Sequence, residues 1–558
     1  MSAQVATAIL REGDAPIGAP PGITVTSISG VAANEVGGVF ASLRLTNWND
    51  GIWGDATGLN GVMLREVQIG ISGYDQTAFG ADFGGSDTGQ LGYGPTCIDL
   101  STFAQGLDSI WLDSTPLAVE NQAIPTLPGK KYRFVSQPGI TGNGIPYWLG
   151  GITDIATGVE EGQALFMGSG ATVVLKPGDP APPPLTSVLA LAAGDRDARF
   201  SRNGAHYING TPTTDPGTSN SHIIIDGAIP LDAGGNRMSE GQPVSAAAGG
   251  LPGETWSNWG SLGVNDAGDW MVGGDTSAAT TMDNFIAKNG VIIAREGSVL
   301  GGLTLTGGVL AADMNEAGGV VHMWNTPGNI QALYYNSTLL LKKGDLVDLD
   351  GDGVVEPTHI LHSMLGGAGL VIGNTHVFQV GYVNIGGTIF DCVFAIRIPT
   401  TATSFCSGDG SGTACPCANT GLAGHGCANF NFASGARLSS AGYAGASATT
   451  DSLTLMATNI PGPGLFFQGT SQQVGGAGLS FGDGLFCAGG AILRFGVVFP
   501  TGDSATYPGG LTPSPVHLAG ATASGDVRHY QCWYRDSATF CTPATNNLTQ
   551  GLTILWGP

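Results

Sequence analysis

The chain has 558 residues, of which 92 are Gly, 42% are hydrophobic and only 11% are charged. This composition has no G-X-Y period, so it excludes disorder and a collagen helix and favours many short strands joined by glycine turns. The formal charge of −23 excludes nucleic acid and anionic lipid as partners, because both require clustered Lys and Arg.

Targeting and membrane segments are not visible in the sequence. The stretch "MSAQVATAILREGD" has no basic start followed by an apolar run, so it does not indicate a signal peptide. Runs of about 18 apolar residues are lacking, so the sequence predicts no membrane span.

Two short patterns recur over roughly the first 400 residues. One is an Asn-acid-X-Gly turn between apolar stretches, at Asn34, Asn265 and Asn315. The other is an apolar strand that ends in a basic residue and a turn, as in "AILREGD" and "LLLKKGD". The spacing is typical of four-stranded propeller blades. The strand endings lie near residues 10, 64, 118, 175, 225, 294 and 341.

The first and last repeats are both incomplete. "AILREGD" precedes any complete unit, and "TIFDCVFAIRIP" at 388–399 has no basic strand after it. A ring in which the N-terminal strand completes the final blade accounts for both and removes exposed sheet edges. We therefore predict an all-β fold with a seven-bladed β-propeller over residues 1–400. An array of β-sandwiches is the alternative.

The segment "GDLVDLDGDGVVEPTH" at 344–359 has the pattern of a calcium loop. Acidic residues at alternate positions bring hard oxygens to one ion, and the glycine at 353 permits the sharp turn. Asp345 is predicted to be a bystander. The other reading is a solvated acidic turn without an ion. The predicted calcium ligands are the side chains of Asp348, Asp350, Asp352 and Glu356 and the backbone carbonyl of Val354.

This loop does not fit a calcium sensor of the EF-hand type. The EF-hand loop ends in a bidentate Glu at position 12, where this chain has His359. The DxDxDGxxE pattern instead resembles the loops of integrin-type propellers, and this resemblance implies that calcium rigidifies a connection between strands. A catalytic metal is disfavoured because a closed ring of oxygens leaves little room for substrate.

The sequence changes character after "RIPTTATS". The motifs "CPCAN", "GHGCAN", "GDGLFC" and "YQCWYRD" resemble a C-terminal module of large secreted proteins of planctomycete-type bacteria. The upstream "LREGD" and "NDAG" repeats resemble partners seen in such proteins. The resemblance implies a secreted all-β surface protein, with no catalytic residues to carry over. We predict a disulfide-stapled, β-sandwich-like domain over residues 401–558.

Seven of the nine Cys lie in this second region, and their density is typical of disulfides in an extracellular or cell-surface protein. A zinc site is the alternative, but the spacing lacks paired C-x2-C knuckles. Since seven is odd, one Cys stays free or pairs elsewhere, with Cys392 as one candidate partner. The predicted disulfide cysteines, with pairing undetermined, are Cys406, Cys415, Cys417, Cys427, Cys487, Cys532 and Cys541.

Signals of an enzyme are weak, and we predict none. "GLSFG" around Ser480 matches G-x-S-x-G without a strand-elbow-helix context, and "NDAGDW" at 265–270 is better explained as a hairpin than as a sialidase Asp-box. Carboxylates that converge across a channel would change this view. Four tryptophans are candidates either for sugar stacking or for packing between blades: Trp48, Trp53, Trp256 and Trp259.

Three functions are compatible with these patterns. The first is a noncatalytic extracellular structural protein that polymerises with copies of itself into a filament or surface layer, since few charges oppose packing of β edges on neighbours. The second is a monomeric adhesin that binds glycan in the propeller channel. The third is a secreted glycan-active hydrolase.

Overall fold

A computed structural model divides the chain into two compact units, the first ending at Arg397 and the second beginning at Ile398. The predicted boundary at residues 400 and 401 lies outside the described residues. The structure describes residues 5–16, 21–46, 50–55, 62–65, 74–99, 101–102, 105–190, 198–217, 219–351, 354–398, 402–446, 451–510, 513–523, 526–537 and 542–556.

The protein is nearly all β, with 52% of residues in strands and 3% in helices. In the first unit, consecutive strands pair antiparallel to form small meandering sheets. Two single-turn 3₁₀ helices, Ala246–Ala248 and Gly367–Gly369, interrupt these strands. The strands are β1 Ala6–Arg11, β2 Val25–Ala33, β3 Val39–Leu45, β4 Asp50–Asp55, β5 Val62–Arg65, β6 Tyr74–Gly85, β7 Leu91–Asp99, β8 Gln105–Leu112, β9 Thr115–Val119, β10 Lys130–Ile140, β11 Pro146–Asp154, β12 Glu160–Met167, β13 Thr172–Leu175, β14 Ala198–Phe200, β15 Tyr207–Pro212, β16 Ser221–Ile225, β17 Trp256–Val264, β18 Trp270–Thr276, β19 Asn284–Lys288, β20 Val291–Arg295, β21 Val299–Leu300, β22 Leu303–Thr304, β23 Thr306–Met314, β24 Val320–Thr326, β25 Ile330–Tyr335, β26 Thr338–Lys342, β27 His359–Met364, β28 Leu370–Ile372, β29 His376–Ile385 and β30 Thr388–Arg397.

These strands form a β-propeller. Seven meandering sheets occur in the described part of the first unit: β2–β5, β6–β9, β10–β13, β14–β16, β17–β20, β23–β26, and a last sheet of β27 to β30 with β1. Strands β21 and β22 form a separate hairpin. The predicted fold class is confirmed. A blade number of seven stays a prediction, because residues 191–197, beside the three-stranded sheet, lie outside the described residues.

The N-terminal strand completes the last sheet. Strand β1 pairs antiparallel with β30, with Ala6 opposite Ile396 and Arg11 opposite Cys392. The order of this sheet is β1-β30-β29-β27, and β28 also pairs with β29. The edge of β30 is therefore covered by a strand from the other end of the propeller sequence.

Buried apolar side chains fill the space between neighbouring sheets. Ala32 and Trp111 share a cluster between the first two sheets, for example, while Leu10 and Phe378 belong to the cluster that joins the last sheet to the first. Burial of this area is the main stabilising contribution to the ring. Comparable clusters join the second to third, third to fourth, fourth to fifth and fifth to sixth sheets.

The tryptophans that were candidates for sugar stacking are core residues where the structure describes them. Trp53, Trp256 and Trp259 are at most 4% exposed, and Trp256 packs with Phe285 at a ring distance of 5.0 Å. Their large apolar rings therefore contribute to packing between strands and sheets. Trp48 lies outside the described residues.

The second unit is a two-sheet sandwich. A six-stranded sheet has the order β31-β43-β41-β34-β39, with β42 paired to β41, and a smaller sheet has the order β32-β33-β40. Their inner faces share one core that includes Leu455, Phe466, Tyr507 and Tyr530. The elements are β31 Ala402–Phe405, β32 Arg437–Ala441, β33 Thr454–Thr458, β34 Gly464–Gly469, β35 Ser471–Gln472, β36 Leu479–Phe481, β37 Gly484–Phe486, β38 Ala488–Gly489, β39 Leu493–Val498, β40 Ala505–Tyr507, α1 Val516–Gly520, β41 Val527–Arg535, β42 Asn546–Leu548 and β43 Gly551–Leu555, with a 3₁₀ turn at Gln473–Gly476.

Disulfides join the loops of this unit. Cys406 is bonded to Cys487 and Cys415 to Cys427, and Cys417 is also in a disulfide. All four residues of the zinc alternative other than His425 are thus oxidised, so that alternative is wrong. Cys541 lies outside the described residues.

One predicted disulfide residue is a free thiol. Cys532 lies on β41, is fully buried in the sandwich core, and has its Sγ 3.5 Å from the carbonyl oxygen of Trp533. Burial raises the pKa of this thiol, so it behaves as a small apolar side chain. Including Cys532 among the disulfide residues was therefore wrong. Cys392 is likewise free and buried, inside the propeller.

Membrane-crossing helices were also searched for. Within the described ranges, none of the helices has both the length and the apolar character needed to span a bilayer.

Candidate functional site

The hairpin turns that follow the innermost strands form a hydrogen-bonded ring. In each turn a short polar residue closes the hairpin; Asn265, for example, accepts a bond of 2.8 Å from the amide of Asp269. Its own side-chain amide donates to the carbonyl of Glu316 in the next turn at 3.1 Å. The links around the ring run from Asn34 to Ser86, Asp87 to Gly142, Asn143 to Arg202, Asn203 to Asp266, Asn265 to Glu316, Asn315 to Gly373, and Asn374 to Glu35.

The second residue of each turn points its chemistry toward this ring. Arg202 donates from Nε to Asp87 Oδ2 at 2.5 Å, across a turn that lies between them in the ring. Glu316 accepts from the amides of Arg202 and Asp266, at 3.1 and 2.7 Å. Glu35 donates its backbone amide to Asp87 at 3.3 Å. The Asn-acid-X-Gly motif thus supplies acidic groups to one polar network.

A cavity of about 350 Å³ lies among the innermost strands beside this network. Its walls come from β2, β6, β10, β14, β17, β23 and β28, so it lies on the propeller axis; we call it the axial cavity. Five carboxyl groups and two guanidinium groups line it: Glu35, Asp82, Asp87, Asp313, Glu316, Arg199 and Arg202. This volume is at the lower end of the range for small-molecule pockets.

The charges in this cavity shift the ionisation of its acidic groups. Burial, together with repulsion from Glu316 and Asp313, raises the pKa of Glu35 to about 8. Burial also raises the pKa values of Glu316 and Asp313, while the nearby Arg199 charge lowers that of Asp313. Perturbed carboxyl groups that share one cavity are a feature of functional sites.

The rest of the wall is aromatic and apolar, with one unusual polar residue. Tyr147 and Phe200 pack with ring centroids 4.8 Å apart, and Gly139 makes room for the Tyr147 ring, which a Cβ at that position would overlap. Gln137 has a positive φ of 49°, and its Oε1 is buried without a hydrogen-bond partner. Strained backbone of this kind persists where the surroundings determine it, often at binding sites.

The acidic loop at 344–359 is the second candidate site. Carboxylate oxygens of Asp348, Asp350 and Glu356 all lie within 4.8 Å of one another. Asp345 is a bystander, as predicted, because its carboxylate accepts from the amide of Lys342 and pairs with the Lys342 ammonium. Val354 is largely exposed, and Asp352 lies outside the described residues together with the glycine at 353.

The chemistry of this loop fits a hard divalent cation. Asp348 accepts from Gly351 at 2.8 Å and from the Thr7 hydroxyl at 3.0 Å, and Glu356 accepts from Leu349 at 3.2 Å and contacts His359 at 2.9 Å. Each carboxylate has about four lone-pair sites, so these bonds leave oxygen ligands for an ion. Calcium would compensate the repulsion within the group.

The acidic loop also lies against the strand that closes the propeller. The amide of Asp348 donates to the carbonyl of Ala6 at 3.0 Å, and the amide of Ala8 donates to the carbonyl of Asp348 at 2.8 Å. Asp348 is fully buried by this contact. The candidate metal loop therefore pairs with the outer edge of β1.

The remaining enzyme signals have structural explanations. Ser480 lies on β36, in the two-stranded hairpin with β37, and not at an elbow between a strand and a helix. The "NDAGDW" segment forms the hairpin turn at Asn265 described above. The axial carboxyl groups, in contrast, were not singled out from the sequence, although the acidic position of the turn motif was a signal that could have indicated them.

Comparisons with known proteins give a fold and no family. No protein-family model and no curated protein matches the chain. Solved structures that it resembles include the WD40 β-propeller domain of Doa1, at 10% identity and a TM-score of 0.27, covering 67% of this chain and 97% of that one. An α-L-arabinanase of Penicillium chrysogenum complexed with arabinobiose has 11% identity and a TM-score of 0.28, with 71% and 98% covered.

A lectin of Aleuria aurantia in complex with α-methyl-L-fucoside is also similar, at 9% identity and a TM-score of 0.22, with 58% of this chain and 96% of that one covered. Structures similar to this chain thus include enzymes and proteins that are not enzymes.

Proposed function

We propose that the protein is an extracellular adhesin that binds a glycan in the axial cavity. The observation that carries this proposal is the combination, in one cavity of about 350 Å³, of an aromatic wall at Tyr147 and Phe200 with hydrogen-bonding carboxylates. Sugars are recognised by such a combination, because aromatic rings contact their apolar faces and carboxylate oxygens accept from their hydroxyl groups. The disulfides of the second unit support an extracellular location.

Binding without cleavage is the activity that we propose. The axial carboxylates are already engaged in holding the turns together: Asp87 is paired with Arg202, and both oxygens of Glu316 accept from backbone amides. A hydrolase needs one carboxylate free to act as base or nucleophile and another to act as acid. Release of reducing sugar from a bound glycan would contradict this part of the proposal.

Calcium is part of the proposal as a structural ion. Bound by Asp348, Asp350 and Glu356, with Asp352 and the Val354 carbonyl as further predicted ligands, it would hold the loop that pairs with β1. The ring that forms the axial cavity would then be closed more firmly. The resemblance to secreted planctomycete-type surface proteins is consistent with this role.

A glycan array tests the proposal. The full chain should bind a subset of immobilised glycans, and Ala368→Trp, which adds an indole to the wall of the axial cavity, should abolish that binding. Ala156→Trp adds the same side chain at an exposed turn and should bind like the wild type. Equal binding by all three proteins would locate the glycan elsewhere and refute the proposal.

Self-assembly into a filament or surface layer is a second candidate. Seven large apolar side chains in the described part of the second unit are more than half exposed, against five in the much longer first unit. Exposed apolar groups are a feature of interaction surfaces. In the second unit they are Leu422, Phe430, Val474, Phe481, Phe499, Leu518 and Leu555.

Negative-stain microscopy with and without a chelator separates the two candidates. Calcium-dependent fibres would favour assembly through contacts between the propeller of one copy and the second unit of the next. Dispersed single particles in both conditions would leave the adhesin alone.

A further inference from the structure

The axial cavity has an excess of negative charge that its own arginines do not balance. Five carboxyl groups line it against two guanidinium groups. Arg202 is already paired with Asp87 at 2.5 Å, and Arg199 donates to the carbonyl of Ala198 at 3.1 Å and faces Asp313. An anionic ligand would therefore be repelled, whereas a cation would be attracted.

Two polar atoms in the cavity wall lack hydrogen-bond partners, and both belong to acceptor groups. They are Glu35 Oε2 and Gln137 Oε1, each buried within the structure. Buried polar atoms without partners are uncommon, and each calls for an explanation such as a missing ligand or water. Two acceptors without donors indicate a ligand rich in N–H or O–H donors.

The surroundings of Glu35 favour a donor that also carries positive charge. The charged groups that face it are Glu316, Asp313 and Asp87, all acidic, while the neighbouring turn contributes the neutral Asn374. Burial and these charges raise the pKa of Glu35 to about 8, so the isolated protein carries a proton on this group at neutral pH. A bound cation reverses this field and releases the proton.

We propose that the axial cavity selects glycans that carry free amino groups, with an ammonium bound to Glu35. An ammonium has three N–H donors and one positive charge, and it satisfies both features of the wall. This inference rests on the proposed glycan site and adds the class of glycan.

Calorimetric titration of the full chain at pH 6 with two disaccharides tests the inference. The β-1,4-linked disaccharide of glucosamine and cellobiose differ only in an ammonium or a hydroxyl group at each C2. The glucosamine disaccharide should bind at least about tenfold more tightly, the value of one hydrogen bond to a charged group. Titrations in two buffers of different ionisation enthalpy should show nearly one proton released per glucosamine disaccharide and none with cellobiose.

Two variants connect this preference to Glu35. Glu35→Gln should remove both the preference and the proton release, whereas Glu160→Gln, which removes the same charge from an exposed position on β12, should keep both. Equal affinity of the wild type for the two disaccharides would overturn the inference and leave the glycan site in place. Binding of neither disaccharide overturns the inference too; only a blank glycan array in addition overturns the proposed function.

Discussion

Glu35 is the residue in which the fold and the proposed site meet. Its backbone holds the first hairpin turn in the ring, through bonds to Asp87 and from Asn374, while its side chain contributes to the axial cavity. Burying a carboxyl group next to other carboxyl groups is unfavourable, and the group responds by retaining its proton. This cost is tolerated in the proposed account because the group is needed for a ligand.

The titration of Glu35 predicts a pH dependence of stability. The pKa of this group is 4.5 in the unfolded chain and about 8 in the folded chain. Between these values the folded state holds a proton that the unfolded state has lost, so the free energy of unfolding falls as the pH rises through this window. Glu35→Gln lacks this contribution and should gain stability relative to the wild type from pH 5 to pH 8.

Scanning calorimetry at several pH values between 5 and 9 checks this prediction. The difference in unfolding midpoint between Glu35→Gln and wild type should grow up to about pH 8 and then level off. A difference that stays constant over the range would show that Glu35 titrates normally.

At the scale of elements, the turn motif was predicted from the sequence but its chemistry was not. Asn and Gly at Asn34, Asn265 and Asn315 indicated hairpins because they permit tight turns, and hairpins are found there. That the acidic residue after each Asn meets the others on one axis depends on contacts between distant sheets. Local sequence carries no information on such distances.

The bonds between turns predict a large effect of Asn265→Ala. The side chain is 1% exposed, closes its own turn and donates to the carbonyl of Glu316, so the substitution leaves buried groups without partners. We expect a loss of about 2–4 kcal/mol in the free energy of unfolding, on the basis of two or three lost hydrogen bonds. Urea unfolding measures it.

Asn143→Ala is the matched control, because its exposed side chain lies in another turn of the same ring and only its backbone amide makes the link to Arg202. It should cost less than about 1 kcal/mol. Equal effects of the two substitutions would contradict a structural role for the buried amide.

The acidic loop and β1 form another pair of elements whose behaviour can be tested. Calcium should raise the unfolding midpoint of the propeller and slow hydrogen exchange of residues 6–11, because the ion holds the loop that is bonded to this strand. Asp350→Asn should abolish both effects. Asp345→Asn removes a neighbouring charge outside the predicted ligand set and should retain them; loss of the calcium effect in this variant would refute the ligand assignment.

For the whole molecule, the sequence predicted the class of fold and a Cys-rich second unit better than it predicted the pairing. Period and turn chemistry define propeller-like repeats. Which Cys is oxidised depends on tertiary distance: Cys532 looked like its neighbours in sequence, but β41 buries it in the sandwich core away from the linked loops. Stability of the second unit should therefore depend on the two described disulfides unequally.

The unequal contribution follows from loop length. The Cys406–Cys487 bond closes a separation of 81 residues and Cys415–Cys427 one of 12. Loss of loop-closure entropy predicts stabilisation of about 4.5 and about 3 kcal/mol. Replacing both cysteines of each pair by serine and following hydrogen exchange of β41 measures the two values. A larger loss from the short loop would contradict the entropic explanation.

The central claim is that the axial cavity is the ligand site, and the structure of the full chain in complex with a glycan from the array tests it most directly. The account predicts density for the sugar inside the cavity, against Tyr147 and Phe200, with a polar group on Glu35. A sugar bound on the second unit or on the outer strands of the propeller, with the axial cavity free of ligand, would contradict it.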